Sequence, residues 1–366
     1  MKKVAVIPAV VLAALCTFTG CKKEEVENVI APLVSDGQTT ESTEEAQEEK
    51  DPLIPEIDTS VELQAGSRVA VVSKSTSGEF WGLVKKGMEQ AIADVNEAYG
   101  FKKEDQVTMT FEGASDEKDV ESQVNTIDAV IAENPDVLCV SASDMDSLQA
   151  QLEAAKENGI PVVAFDSGVT DSKMVRAFRG TDNTRVGEIA AYRLATAIGK
   201  MGKVAVFSAQ EKTQSIQERV SGFTNYITNY PDIEVVEIVY QDQVEDMTAA
   251  MQEVLDKYPQ LDGVFCDNAD IADLYLDMKK DETKDSIVMV GVDATAKQQE
   301  AIRNSKEVGV VSQQPYAMGY QTIWTALLTT APKKSVEIKR NVRIDPAWID
   351  SSNIDDPTYS SYLYAN

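Results

Sequence analysis

Histidine is missing from all 366 residues. That absence removes His-dependent catalytic triads, the commonest general base and the commonest zinc ligand together. Cysteine is scarce: of the four present, Cys16 and Cys21 fall near the amino terminus and only Cys139 and Cys266 lie in the body of the chain. Both sit inside apolar runs, Val137-Leu138-Cys139-Val140 and Val264-Phe265-Cys266, and read as small buried hydrophobes, with no disulfide framework or metal-ligand spacing. Positive charge is the third shortage. Lys and Arg number 34 against 61 Asp and Glu, a formal charge of -27, which argues strongly against nucleic acid and anionic lipid as partners because both require a basic surface. A phosphate cradle is missing too, since Gly199-Lys200-Met201-Gly202 precedes its strand where such a loop must follow one. No metal or other cofactor is implied.

Residues 1–20 read as a secretion signal: Lys2 and Lys3, an apolar stretch from Val4 to Phe18, then Thr19-Gly20. The stretch is short and interrupted by Pro8, which argues against a bilayer span. Phe18-Thr19-Gly20-Cys21 resembles a bacterial lipobox with Phe18 where Leu is usual. The resemblance implies that Cys21 is acylated and becomes the new amino terminus, a lipid anchor. Residues 21–66 are rich in Glu, Thr, Ser and Gln and poor in aromatics, so an acidic disordered tether is expected.

From Arg68 onward, short apolar runs alternate with amphipathic stretches. Strands are expected at Arg68 to Ser73, Val107 to Phe111, Asp136 to Val140 and Val162 to Phe165. After Thr181-Asp182-Asn183 they resume at Val204 to Phe207, Val235 to Val239, Gly263 to Cys266, Ile287 to Val292 and Val308 to Val311. Helices include Phe80 to Tyr99, Glu117 to Ala132, Asp144 to Asn158, Val186 to Gly199 and Met247 to Lys257. Strands separated by helices of this length imply βαβ crossovers and parallel sheets. So many strands exceed one hydrophobic core, and the fold class is α/β with two doubly wound parallel-sheet lobes.

In such sheets ligands bind beyond the carboxyl ends of the strands, and a cleft between lobes is a preferred site. The strand ends supply Ser73, Ser77, the aromatic pair Phe80-Trp81, Ser141, Asp166-Ser167, Gln217, Asp267-Asn268, Asp293 and Gln313. Hydroxyls, amides and carboxylates dominate this set, with almost no Lys or Arg. It suits a neutral polyhydroxylated ligand: an ionised Asp accepts from adjacent hydroxyls, amides donate and accept, and an aromatic face covers the C–H face of a sugar ring. Trp324, in the apolar run Ile323 to Leu328, reads as core. Asp267, Asp270 and Asp273 lack the turn Gly and closing Glu of a calcium loop and read as helix capping and a solvated face. Asp166 and Asp293 could also serve a glycoside-acting enzyme.

Several motifs in fixed order carry a family likeness: Ser73 to Gly87, Asp166, Thr181-Asp182-Asn183, Asp267-Asn268, Val290-Gly291-Val292-Asp293 and Ser312-Gln313-Gln314-Pro315. Across roughly 68–335 the chain resembles the type I periplasmic sugar-binding proteins, the ribose-binding-protein group that serves ATP-driven (ABC) transporters. The resemblance implies a first lobe of 67–181 plus 314–342, a second of 182–313 plus 343–366, and a three-stranded hinge with crossings near Thr181-Asp182, Gln313 and Arg343. It also implies a monomeric receptor that captures a monosaccharide or polyol and presents it to a membrane permease. Binding roles then fall on Ser73, Ser77, Phe80, Trp81, Ser141, Asp166, Ser167, Gln217, Asn268, Asp293 and Gln313, and none is catalytic. Two departures stand out. Ser167 and Gln217 occupy places where ribose binders carry Arg, so guanidinium forks are expected to be absent and "sugar" is kept while "ribose" is not. The first loop is one residue longer, so Ser77, Gly78 and Glu79 remain alternatives for the family's Asn. A nucleoside stacked on Trp81 is the alternative ligand on the same fold.

Overall fold

The computed structural model of the protein describes residues 51–280, 286–332 and 336–364. The expected signal, Cys21 and most of the tether lie outside the described residues. No helix among the described residues is long and apolar enough to cross a membrane.

The first sheet contains β1 (Arg68–Ser75), β2 (Thr108–Ala114), β3 (Val137–Val140), β4 (Val162–Phe165), β5 (Ala177–Thr181) and β11 (Asn341–Ile344), in the order β11-β5-β4-β3-β1-β2. The second contains β6 (Gly202–Ser208), β7 (Ile233–Tyr240), β8 (Gly263–Cys266), β9 (Val288–Val292), β10 (Gly309–Ser312) and β12 (Ala347–Asp350), in the order β12-β10-β9-β8-β6-β7. The two orders are the same pattern, and every pairing is parallel except β10 with β12. Central strands β3, β4 and β8 are apolar and buried at every residue, as expected where helices cover both faces.

The helices are α1 (Glu79–Tyr99), α2 (Val120–Ala132), α3 (Gln149–Glu157), α4 (Asn183–Ala197), α5 (Gln214–Ile227), α6 (Met247–Lys257), α7 (Ala269–Met278), α8 (Ala296–Arg303) and α9 (Pro315–Thr330). α1 and α9 pack together over the first sheet, with Val84, Met88, Tyr320 and Ile323 in one buried cluster. Burying such side chains is worth about 1.5–3 kcal/mol each. In the second lobe α4 and α5 approach so closely that a Cβ on Gly187 would lie 2.1 Å from the Arg219 carbonyl oxygen, and one on Gly222 would lie 2.3 Å from that of Thr184. Only glycine allows this approach, and it fixes the helix that carries Ser215 and Arg219.

The chain passes between the sheets at Thr181–Asn183, at Ser312–Pro315 and between β11 and β12. Two expected boundaries need correction. The division between 342 and 343 falls inside β11, which pairs with β5 from Asn341 to Ile344, so Arg343 belongs to the first sheet. The tether does not extend to residue 66. Val61 and Leu63 are buried in the first-lobe core, with Ile54 and Ile57 packed against it. Backbone here is also anchored, Tyr99 Oη donating to the Val61 carbonyl (2.7 Å) and Gln321 Nε2 to that of Leu53 (2.8 Å).

Candidate functional site

Between the carboxyl ends of the two sheets lies a cavity of about 570 Å³, walled by both lobes. The lobes meet on either side of it. Ser167 Oγ and Ser215 Oγ share a hydrogen bond (2.9 Å), the Gly168 amide donates to Gln214 Oε1 (2.6 Å) and the Met145 amide to the Lys212 carbonyl (3.0 Å). On the other side the Ala296 amide donates to Glu79 Oε2 at 3.0 Å.

The floor on the first-lobe side is Asp166, 3 % exposed and held at φ 54° immediately after β4. Its Oδ2 accepts from Ser141 Oγ (2.9 Å) and Ser167 Oγ (3.1 Å) and lies 3.0 Å from Lys74 Nζ. Lys74 also lies 3.5 Å from Glu117, whose other oxygen accepts from Trp81 Nε1 at 2.6 Å. Burial works against the Lys74 ammonium, but the charges of Asp166 and Glu117 outweigh it and hold its pKa above the ordinary value of 10.5. The lysine reaches the cavity through a bulge: β1 pairs Ser73 with Gly113 and Ser75 with Ala114, leaving Lys74 out of register. Bulges re-aim side chains in this way. Behind this wall, Gln123 donates to the carbonyls of Ser73 (3.1 Å) and Ser141 (2.8 Å), tying β1 to β3.

On the second-lobe side Asp293 follows β9 at φ 81°. Its Oδ1 accepts from Gln313 Nε2 (2.7 Å) and Tyr364 Oη (2.9 Å), and its Oδ2 from the Ala269 amide (2.9 Å). Gln313 in turn accepts from Thr181 Oγ1 at 2.7 Å, joining two of the crossings. Asn268 caps α7, accepting from the Ile271 amide. Asp267, fully buried, accepts from Ser208 Oγ and from the Ala209 amide. Burial, then the charge of Asp293, pushes its carboxyl up to about 6 against the opposing help of those bonds and of Arg219.

Of the residues expected from sequence, Ser77, Phe80, Trp81, Asp166, Asn268, Asp293 and Gln313 line the cavity. Ser73, Ser141 and Ser167 stand one layer behind it: Ser73 Oγ turns to the Ser75 carbonyl (2.6 Å), and the other two hold Asp166. Gln217 does not belong. It is exposed on the outer face of α5, and the residue of that helix that reaches the cavity is Arg219, 3 % exposed, with Nε on Asn183 (2.8 Å) and Nη1 on the Asp267 carbonyl (2.7 Å). The expectation of a wall almost without cations is therefore corrected by Lys74 and Arg219. Ser77, Gly78 and Glu79 all line the cavity, but Glu79 is engaged by Ala296.

The aromatic pair divides its labour. Trp81, 3 % exposed, is wedged edge-on against Phe165 and Phe80, so little of its face is open to receive a base. Phe80 is half-buried and packs towards Tyr364 of the second lobe, 6.1 Å between centroids, which puts it at the junction of both walls.

Residues 69–331 match the family model described as a periplasmic binding protein domain. The chain belongs to this family. It is 27% identical over 203 residues to the ribose import binding protein RbsB of Bacillus subtilis, a stretch that covers 56% of this chain and 66% of that protein. The solute-binding protein of an Agrobacterium vitis ABC transporter, solved with D-fucose, superposes with a TM-score of 0.74 at 28% identity, covering 81% of this chain and 100% of that one. A second Agrobacterium vitis solute-binding protein, solved with α-D-tagatopyranose, gives 0.74 at 26% identity over 82% of this chain and 100% of that one.

Proposed function

We propose that the protein is an extracytoplasmic solute receptor, anchored by a lipid on Cys21, that closes its lobes on a monosaccharide or polyol and delivers it to an ABC transporter permease. The cleft carries this reading. The cavity has a buried carboxylate at the floor of each wall and an aromatic ring at the junction, the combination that holds vicinal hydroxyls and covers the apolar face of a sugar ring. Relatives solved with D-fucose and α-D-tagatopyranose support the ligand class. Contacts contributed by both lobes give the ligand more partners in the closed state than in the open one, and that difference is what drives closure. No catalytic step is assigned.

The test is a thermal-shift screen of the full chain against pentoses, hexoses, their polyols and nucleosides, followed by calorimetry and a search for products. Saturable binding of a monosaccharide or polyol with no product is expected. Binding confined to nucleosides, or turnover of a glycoside, overturns the reading. Retention of a Cys21→Ser variant in the membrane fraction would remove the lipid anchor from it.

A further inference from the structure

After β12 the chain turns back towards the cleft. A short helical turn, Pro357–Tyr362, leads to residues that lie across the ends of β9 and β10. The Tyr364 amide donates to the Ala294 carbonyl (3.1 Å) and Ser312 Oγ to the Tyr362 carbonyl (2.5 Å), which ties this tail to the second lobe. The Tyr364 side chain, 6 % exposed, belongs to a buried cluster with Ala294, Ile302, Val310 and Ile349.

Two observations of different kinds converge on it. The first is a hydrogen bond: Tyr364 Oη donates to Asp293 Oδ1 at 2.9 Å, beside Gln313 Nε2 at 2.7 Å. Two donors fill that oxygen. The remaining acceptor capacity of the carboxylate is on Oδ2, which takes the Ala269 amide and has room for one more donor from the cavity that Asp293 lines. Burial, and then the charge of Asp293, hold the phenol well above its ordinary 10.0, so it stays a donor. The second observation is a contact across the cleft. Phe80 and Leu83 on α1 of the first lobe pack against the same second-lobe cluster, the Phe80 ring 6.1 Å from that of Tyr364 between centroids, and the adjacent Glu79 accepts from the Ala296 amide of α8. Parting the lobes strips Phe80 and Leu83 of that packing, so it favours the closed form alone.

We propose that Tyr364 is a positioning residue of the receptor: its hydroxyl fixes which oxygen of Asp293 a sugar meets, and its ring is the seat on which Phe80 lands when the lobes close. The inference rests on the monosaccharide reading above and adds to it a residue that stands behind the cavity wall. Full-length parent, Tyr364→Phe and Tyr364→Leu are compared by small-angle scattering without sugar, then by calorimetry against D-fucose, D-tagatose, D-arabinose and D-ribose, with urea midpoints recorded beside. Tyr364→Phe keeps the ring and should keep the unliganded radius of gyration, while weakening the tightest of these sugars about three- to tenfold. Tyr364→Leu loses hydroxyl and ring together, and should both enlarge that radius and weaken the same sugar by about thirtyfold or more. Phe80→Leu added to Tyr364→Leu should cost much less than the two single losses multiplied, because the seat is already gone. A lowered urea midpoint with parental radius and parental affinity makes Tyr364 a core residue only and overturns the proposal. Binding of none of the four sugars counts against the monosaccharide reading, and the radius still decides the seat: a parental value for Tyr364→Leu overturns it, an enlarged one upholds it.

Discussion

β4 of the first lobe and β9 of the second occupy equivalent places in their sheets, and each ends in an aspartate at positive φ, Asp166 at 54° and Asp293 at 81°. Such backbone costs of order 1–3 kcal/mol at a residue other than glycine, and persists only where the surroundings hold it. What surrounds the two differs. Asp166 is neutralised by Lys74, and the neighbouring strand end offers a hydroxyl, Ser141. Asp293 is held by uncharged donors, and the neighbouring strand end offers a second carboxylate, Asp267. The first wall is a floor whose carboxylate is paired directly with a lysine, whereas in the second Asp293 is held by hydrogen bonds and the nearby cation, Arg219, acts on Asp267 without an ion pair to Asp293 among the described residues.

The sharpest break in that contrast is Lys74→Met. It leaves Asp166 buried without its counterion, and removing one partner of a buried pair costs about 3–5 kcal/mol. Urea denaturation should show that loss, and the double variant Lys74→Met with Asp166→Asn should recover a large part of it. A loss below about 1 kcal/mol would mean that the first wall is solvated and the contrast false. Asp166→Ala alone would mix two effects, because it strands the lysine as well as removing a ligand contact.

The second wall should reveal itself through pH. The folded protein binds the Asp267 proton more tightly than the unfolded chain does, at about 6 against an ordinary 3.8. Stability from this group is therefore lost as pH rises from about 3.8 to about 6 and is level above that, a change on the order of 3 kcal/mol. Asp267→Asn keeps an acceptor for the Ala209 amide and should flatten that part of the profile, measured as urea midpoints between about pH 4 and pH 7. A slope equal to that of the parent would show that Asp267 titrates as an ordinary carboxyl. Glu307, buried with one oxygen unpartnered and its pKa pushed well above 4.5 by burial, adds a slope of the same sign that this variant leaves in place.

The frame of the molecule was legible where physics acts locally. The bounds read for Val162–Phe165, Gly263–Cys266 and Met247–Lys257 are those observed, because each is an apolar or amphipathic run closed by turn or cap residues. Strands β5, β11 and β12 were not read. β5 carries Arg179 in its middle, its guanidinium turned to the carbonyls of Phe178 and Lys339, and β11 carries Arg343, so neither shows the apolar signature. Lys74 was hidden because a bulge, which periodicity does not see, turns it into the cavity. Motif position points to Gln217, whereas Arg219 faces the cavity, because two residues along a helix rotate a side chain by about 200°, from solvent to the cavity. Over 51–66 the average composition dilutes Ile54, Ile57, Val61 and Leu63 among acids and prolines, so their packing against the first-lobe core leaves no compositional signal.

The smallest expected effect concerns how the walls are latched. Arg343 on β11 of the first sheet forks onto Glu218 on α5 of the second lobe, Nη2 to Oε1 at 2.9 Å, with side chains 29% and 21% exposed. Gln214 donates to the same Oε1 (2.8 Å) while accepting from the Gly168 amide, so the pair extends a bridge already made across the cleft rim. Partial exposure limits its worth to roughly 1 kcal/mol or less. That is too little to alter the urea midpoint much, but it acts on the difference between closed and open forms, where 0.5–1 kcal/mol shifts a population ratio by about two- to fivefold. Glu218→Gln should therefore enlarge the radius of gyration of the unliganded protein in small-angle scattering and weaken ligand binding by a similar factor. Saturating ligand should restore the compact form, since the contacts of Asp166 and Asp293 remain. Scattering curves and affinities that match those of the parent would show that Arg343 and Glu218 only decorate the rim, and that closure depends on the ligand-holding walls alone.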